Sequence, residues 1–511
     1  MIRATTPHVP LIASRVLTRR PGAMVTTREP DGRLDRLPLD AVLDRARRLA
    51  SWLLDRGVRP GEAVATVLGN GRAAFEATLG VPMSRAVLHP LNPALPDVVL
   101  VDLLARSADR LLLCEPGDRP RLQALLGPRG PAIVEVGAEL DAHLQTADPM
   151  REMPDLDESH PFALVHTSGT TGLPKSVVHS HRAVWLHALS SGLTSGFGIG
   201  RHDTLLSIVP AYHALAIGFP LAAALHGASL VLPGAPLPPT ALLDLLLATE
   251  TTLTGGLSTS FAAVLDALDE FPGRWPLHPD LRIVCGGNAL HHPIVLGFAR
   301  HGVELVHTWG MTETGPLATT HRPSLPARDD PSPVPQGRAV PLVDVRVVDE
   351  YGSELPWDDA SEGELQVRGA WITGSYAWEP EGTAFAEGGW LRTGDRVTIA
   401  PDGCVSLVGR IKDGLRIGSR WVGPGSLEAC VRAHDNVVDV AIIGVPDRDL
   451  GERPAVALVL RGPCPDVRAL IPDTLLPSAV AVDVHPLAAL PRGPTGKIDR
   501  QALRAALGPV G

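Results

Sequence analysis

The chain has 511 residues, 44% of them hydrophobic, and a formal net charge of -10. That length exceeds one ordinary compact domain and predicts two to four units with ample buried core. The acidic balance argues against a nucleic-acid partner. Five cysteines (Cys114, Cys285, Cys404, Cys430 and Cys464) lie far apart with no C-x-x-C pair, so neither a disulfide framework nor a zinc ribbon is expected, and a reducing cytoplasm is the expected compartment.

The N-terminal stretch has Arg15 within its only apolar segment and lacks the apolar core of a signal peptide. Further on, Leu39–Leu54 has helical spacing, Ala63–Val67 is a short apolar run and Arg72–Leu79 is helical again. The alternation continues as helix Val98–Ser107, strand Leu111–Cys114, helix Arg121–Leu126 and strand Ala132–Val136. Such β-α repetition predicts a parallel sheet covered by helices. The polar segment Asp141–His160 is expected to be a boundary or surface crossing.

The α/β pattern resumes at Phe162. The most apolar run, Ala214–Leu232, is interrupted by Pro220, His226 and Gly227, so it is expected in the core and not across a bilayer. From Val340 to Val408 short apolar runs with glycine turns predict a small β subdomain. The expected boundary follows: 1–408 as an N-terminal domain and 409–511 as a small α+β domain with a basic, glycine-containing tail.

The densest small-polar stretch is His166-Thr167-Ser168-Gly169-Thr170-Thr171-Gly172-Leu173-Pro174-Lys175-Ser176. Glycines allow close backbone approach, hydroxyls donate and one lysine supplies charge, which is the chemistry a triphosphate needs. It departs from G-x-x-x-x-G-K-[ST] because Pro174 stands where the last glycine belongs. Val177-Val178 then reads as a return strand, so the loop is expected between two strands rather than before a helix.

Thr167–Lys175 resembles the signature loop of the adenylate-forming superfamily, which includes acyl-CoA synthetases, luciferases and peptide-synthetase adenylation domains. Four more segments are similar to that family's motifs, in family order: His307–Thr314, Gly389–Asp395, Gly409–Asp413 and Pro491–Ile498. Of 46 basic residues only Lys175, Lys412 and Lys497 are lysines, and each falls inside one of these motifs. An ammonium is a compact point donor where guanidinium is a broad fork, so arginine would substitute poorly at such sites.

The resemblance implies an α/β fold: a large N-terminal domain of two helix-covered sheets plus a β subdomain, and a mobile α+β C-terminal domain. It implies ATP, Mg²⁺ and coenzyme A as cofactors, and formation of an acyl adenylate followed by transfer to a thiol. Thr167, Ser168, Gly169, Thr170, Thr171, Gly172 and Lys175 would bind the phosphates of ATP. Gly286, Gly287, Asn288, His307, Thr308, Trp309 and Gly310 would surround AMP, with Trp309 in place of the usual tyrosine beside adenine. Asp395 and Arg410 would hold the ribose, Glu313 beside Thr312 would hold Mg²⁺, and Lys497 would bridge carboxylate and α-phosphate. Lys412 would be the hinge.

The segment Ala211-Tyr212-His213 lacks the aspartate of amino-acid-activating relatives, and the following Ala214–Pro220 is apolar. Tyr212, His213 and Ile217 are therefore expected to line a pocket for a hydrophobic fatty or aryl acid. Ser419 and Ser426 stand where the family usually has glycine and glutamate, on the thiol-binding side. A carrier-protein phosphopantetheine is an alternative thiol acceptor, and a P-loop-like ATPase or nucleotide-binding regulator an alternative class. The pairs His179/His181 and His291-His292 have no cysteine or carboxylate at ligand spacing.

Overall fold

The computed structural model describes residues 22–151, 156–167, 174–325, 333–378, 384–418, 420–493 and 498–507. Ser168 to Gly172, Ser419 and Lys497 lie outside the described residues. The β-α alternation of the first third builds a seven-stranded sheet in the order 376–377, 176–180, 161–166, 87–90, 63–67, 111–114 and 132–135. A nine-stranded sheet has parallel central strands at 304–309, 282–286, 253–257, 204–207 and 229–232. Helices cover these strands because the strands are buried on both faces, as at Ala63–Val67.

Met24–Arg28 and Leu34–Pro38 form a hairpin that joins the second sheet through Val25↔Leu230. Nothing in the local sequence announces a partner some two hundred residues away. The polar stretch after Val136 also holds a helix, Ala138–Thr146, anchored by buried Leu140 and Leu144. The expected surface crossing there begins with an amphipathic turn.

The apolar run at 214 folds as helix Ala214–His226, closed by Gly227 at φ +73°, and strand Ser229–Leu232. The left-handed backbone at Gly227 suits glycine because it has no Cβ to clash. No described helix is long and apolar enough to cross a membrane.

The β subdomain is an antiparallel sheet of strands Val343–Val348, Gly363–Gly369, Trp390–Ile399, Phe385–Ala386 and Val405–Arg410. Its side chains Val347, Leu365 and Leu391 share one apolar core with Val25, Val64 and Phe162 of the two large sheets. The C-terminal unit has a core of its own, with Leu415, Val440, Ile442 and Leu458 around the long hairpin Val437–Asp447/Gly451–Leu460. The basic, glycine-containing tail carries a helix, Arg500–Leu507, whose Leu503 is buried against Ala441, Ile443 and Val445.

Between the two cores runs a short joint. Gly409 sits at φ +157°, and Ile411–Asp413 form one turn of 3₁₀ helix. Trp421 packs over this joint: its indole N–H donates to Ile411 O at 3.3 Å, and the Arg396 guanidinium lies 4.9 Å from its ring centroid. A side chain at Gly414 would run into the same indole.

Candidate active site

The strands Glu304–Trp309 and Trp390–Ile399 bring together residues far apart in sequence. Trp309 Nε1 donates to Asp395 Oδ2 at 2.9 Å, and Arg410 Nε lies 2.8 Å from Asp395 Oδ1. Asp395 and Arg410 are direct cross-strand neighbours, which fixes that pair by register. Arg410 also donates to Thr393 O at 2.8 Å. Asp395 is 2% exposed and Trp309 7%, so the carboxylate is desolvated and held by a guanidinium and an indole. Each carboxylate oxygen has two lone-pair sites, which leaves capacity for hydroxyls of a ligand. The sequence suggested three separate contacts to a nucleotide; the structure links the three in one chain.

A second chain starts at the phosphate-loop neck. Lys175 Nζ stands 4.5 Å from the Tyr376 ring centroid, and the Tyr376 hydroxyl donates to Glu313 Oε1 at 2.5 Å. Glu313 is 3% exposed and sits in the 3₁₀ turn Thr312–Thr314. That turn is pinned from three sides: Thr373 N donates to Glu313 O at 2.9 Å, His179 Nε2 to Thr312 O at 2.9 Å, and Met311 N to Thr314 Oγ1 at 2.9 Å. Tyr376 escaped the sequence reading. Its only signal was rarity, for the chain has three tyrosines.

Thr167 and Lys175 close the loop neck through Thr167 N to Lys175 O at 2.9 Å and Lys175 N to Thr167 Oγ1 at 3.1 Å. One step further in, His166 and Ser176 face each other in the antiparallel ladder, and the Ser176 hydroxyl lies 2.9 Å from His166 Nδ1. His166 Nε2 lies 2.7 Å from His89 Nε2, and His89 Nδ1 lies 2.9 Å from Asp109 Oδ2. The Ser107 hydroxyl completes the chain on Asp109. Burial, with His89 alongside, pushes the His166 imidazole down to about 3. Protons must alternate along such a chain, so orientation at Asp109 dictates orientation at Ser176. His89 and Asp109 left no sequence signal, because the strands that pair them with His166 are distant in the chain.

The remaining AMP-side residues are supports more than open contacts. The His307 Nδ1–H donates to Pro335 O at 2.8 Å, and the Thr308 hydroxyl to Thr319 O at 3.0 Å. Burial pushes the His307 imidazole down to about 4. Gly286 is required by Thr308 Cγ2, 2.9 Å from where a Cβ would stand, and Gly310 by the backbone of Pro316 and Leu317. Gly287 has φ +77°, and Asn288 Nδ2 donates to Thr259 Oγ1 at 3.3 Å.

Of the expected acyl-pocket residues, Ile217 lines a cavity of about 20 Å³ behind the Thr312–Thr314 turn, together with Ala214, Gly315, Trp371, His179 and His187. Tyr212 and His213 are not among its walls. His213 instead caps the helix Ala214–His226, its Nδ1 accepting from Leu215 N at 3.2 Å.

Among the described residues no group of three or more His, Cys, Asp or Glu side chains could hold a metal ion. Glu313 still fits Mg²⁺, which is commonly bound by one or two carboxylates with substrate phosphates and waters. The buried, hydroxyl-braced carboxylate across Tyr376 from Lys175 would be that single protein ligand.

The fold and these linked polar chains are those of an ATP-dependent, AMP-forming activating enzyme. The chain matches AMP-binding enzyme over residues 18–377 and the AMP-binding enzyme C-terminal domain over 426–497, and it belongs to this family. It is 34% identical to a 3-methylmercaptopropionyl-CoA ligase of Ruegeria pomeroyi, with 94% of each chain covered. It is also 34% identical to a long-chain-fatty-acid–CoA ligase of Thermus thermophilus, covering 94% of this chain and 92% of that protein. Among solved structures, an anthranilate CoA ligase in complex with anthranoyl-AMP superposes with a TM-score of 0.87 at 22% identity, covering 99% of this chain and 98% of that one.

Proposed function

We propose that this chain is an acid:CoA ligase that joins a carboxylic acid to AMP from ATP, releases pyrophosphate, and passes the acyl group to coenzyme A as a thioester. The observation that carries this reading is the pair of linked chains, Trp309–Asp395–Arg410 and Lys175–Tyr376–Glu313, each holding one buried carboxylate. The first offers a carboxylate to a sugar. The second offers an ammonium and a braced carboxylate to a polyphosphate and its magnesium, which neutralises charge as the α-phosphate is attacked. Relatives named as CoA ligases along nearly their whole length support free CoA as the acceptor.

The same reading assigns Lys497 the bridge between carboxylate and α-phosphate, and places the domain change at the joint Ile411–Gly414, since Arg410 still pairs with Asp395. The acid is mainly apolar, as Ala214, Ile217 and Trp371 around the cavity suggest. Acid-dependent pyrophosphate exchange, AMP rather than ADP as product, and thioester formation with CoA are the expected results. Hydrolysis to ADP overturns the reading. Transfer to a phosphopantetheinyl carrier but not to CoA would change the acceptor and leave adenylation standing.

A further inference from the structure

The cavity behind the Thr312–Thr314 turn is mostly apolar, yet a histidine is built into its wall. His187 projects from helix His181–Ser191 between Gly218 and Gly315 and is 3% exposed. A Cβ on Gly218 would stand 2.5 Å from its Cε1 and one on Gly315 2.9 Å from its Cδ2, so both glycines clear space for the ring. Trp371 meets it edge to face at 6.4 Å.

The polar inventory of this wall is unequal. The Trp371 indole N–H is engaged by Thr314 O and Leu317 O at 3.0 Å each, and His179 Nε2 by Thr312 O. His187 Nε2 is buried without a hydrogen-bond partner. Leaving such an atom unmet is unfavourable, a cost a leucine here would avoid. At about 20 Å³ the space admits one small group, a hydroxyl or a carbonyl oxygen.

Resting on the ligase reading above, we propose that the acid has an apolar body and a neutral oxygen function, hydroxyl or carbonyl, at the end remote from its carboxylate, and that His187 hydrogen-bonds that oxygen. The ring is a neutral partner: burial, with His179 nearby, pushes it down to about 3. A second carboxylate would therefore be buried without a standing counter-charge, which disfavours dicarboxylic acids.

The test compares acids of matched skeleton by acid-dependent pyrophosphate release: pentanoate with 4-oxopentanoate, and benzoate with 3- and 4-hydroxybenzoate. The oxygenated member of at least one pair is expected to have about 10-fold higher kcat/KM, the scale of one buried hydrogen bond. His187→Leu should erase that preference while retaining turnover of the plain acid, and His187→Asn should restore part of it. Equal or lower kcat/KM for every oxygenated acid, or a preference that survives in a folded His187→Leu protein, overturns the assignment. If no acid releases pyrophosphate from the wild type, the ligase reading fails and takes this assignment with it.

Discussion

The two halves of the site are built differently. On the N-terminal side, Trp309, Glu313 and Asp395 are buried and every one has a named partner within 2.9 Å. On the C-terminal side the joint carries Lys412 on an exposed single turn, and the unit beyond it has a separate core. A preorganised half can bind ATP without reorganising. A separately cored half can change orientation at the cost of a few backbone torsions, because no shared apolar core has to be broken.

The contrast breaks most severely at Lys497. If the mobile half supplies the bridging charge, Lys497→Ala lowers acid-dependent pyrophosphate exchange by about 10²–10³ with melting unchanged. Exchange at the wild-type rate would remove that half from the first step. Glu313→Gln tests the rigid half: it retains volume and loses charge, so the magnesium concentration for half-maximal turnover should rise at least several-fold. Tyr376→Phe removes only the brace and should give a smaller shift in the same direction. No change in magnesium dependence for either variant would detach this chain from the metal.

Lys412→Pro probes the joint itself. Proline disfavours the helical conformation that Ile411 has in this orientation, and it fixes its own φ near about −65°. Adenylation and thioester formation, measured separately, should lose unequal amounts of rate. Equal losses in a folded protein would show that this turn is not the pivot.

Local signals were sufficient for the β-α alternation and the return strand after Lys175, because short-range periodicity and turn chemistry decide them. The motif residues were legible as residues but not as partners. Trp309 and Arg410 were expected at different parts of a nucleotide; the pairing of strands 390–399 and 405–410 puts Arg410 beside Asp395, and the Trp309 indole reaches the same carboxylate from strand 304–309. The same limit hid Tyr376, His89 and Asp109. Tyr212 and His213 were expected in the pocket from the family segment they match; that His213 also caps the helix Ala214–His226 is seen only in the fold.

The smallest expected effect is one of stability, and it too belongs to the rigid half. His179, His187 and His307 are buried, and burial lowers their imidazoles to about 4, about 3 and about 4. In the unfolded chain each titrates near about 6.5. As pH falls below that value the unfolded chain binds protons that the native rings refuse, so the native state loses stability until the native rings themselves protonate near 3–4. Each ring contributes a slope of at most about 1.4 kcal/mol per pH unit in that window. Urea midpoints should therefore drop steadily from pH 7 to pH 5, above the range where most carboxylates titrate. His187→Leu removes one of these protons and should flatten the slope by about one ring's share; an unchanged slope would mean that His187 takes up its proton in the folded protein.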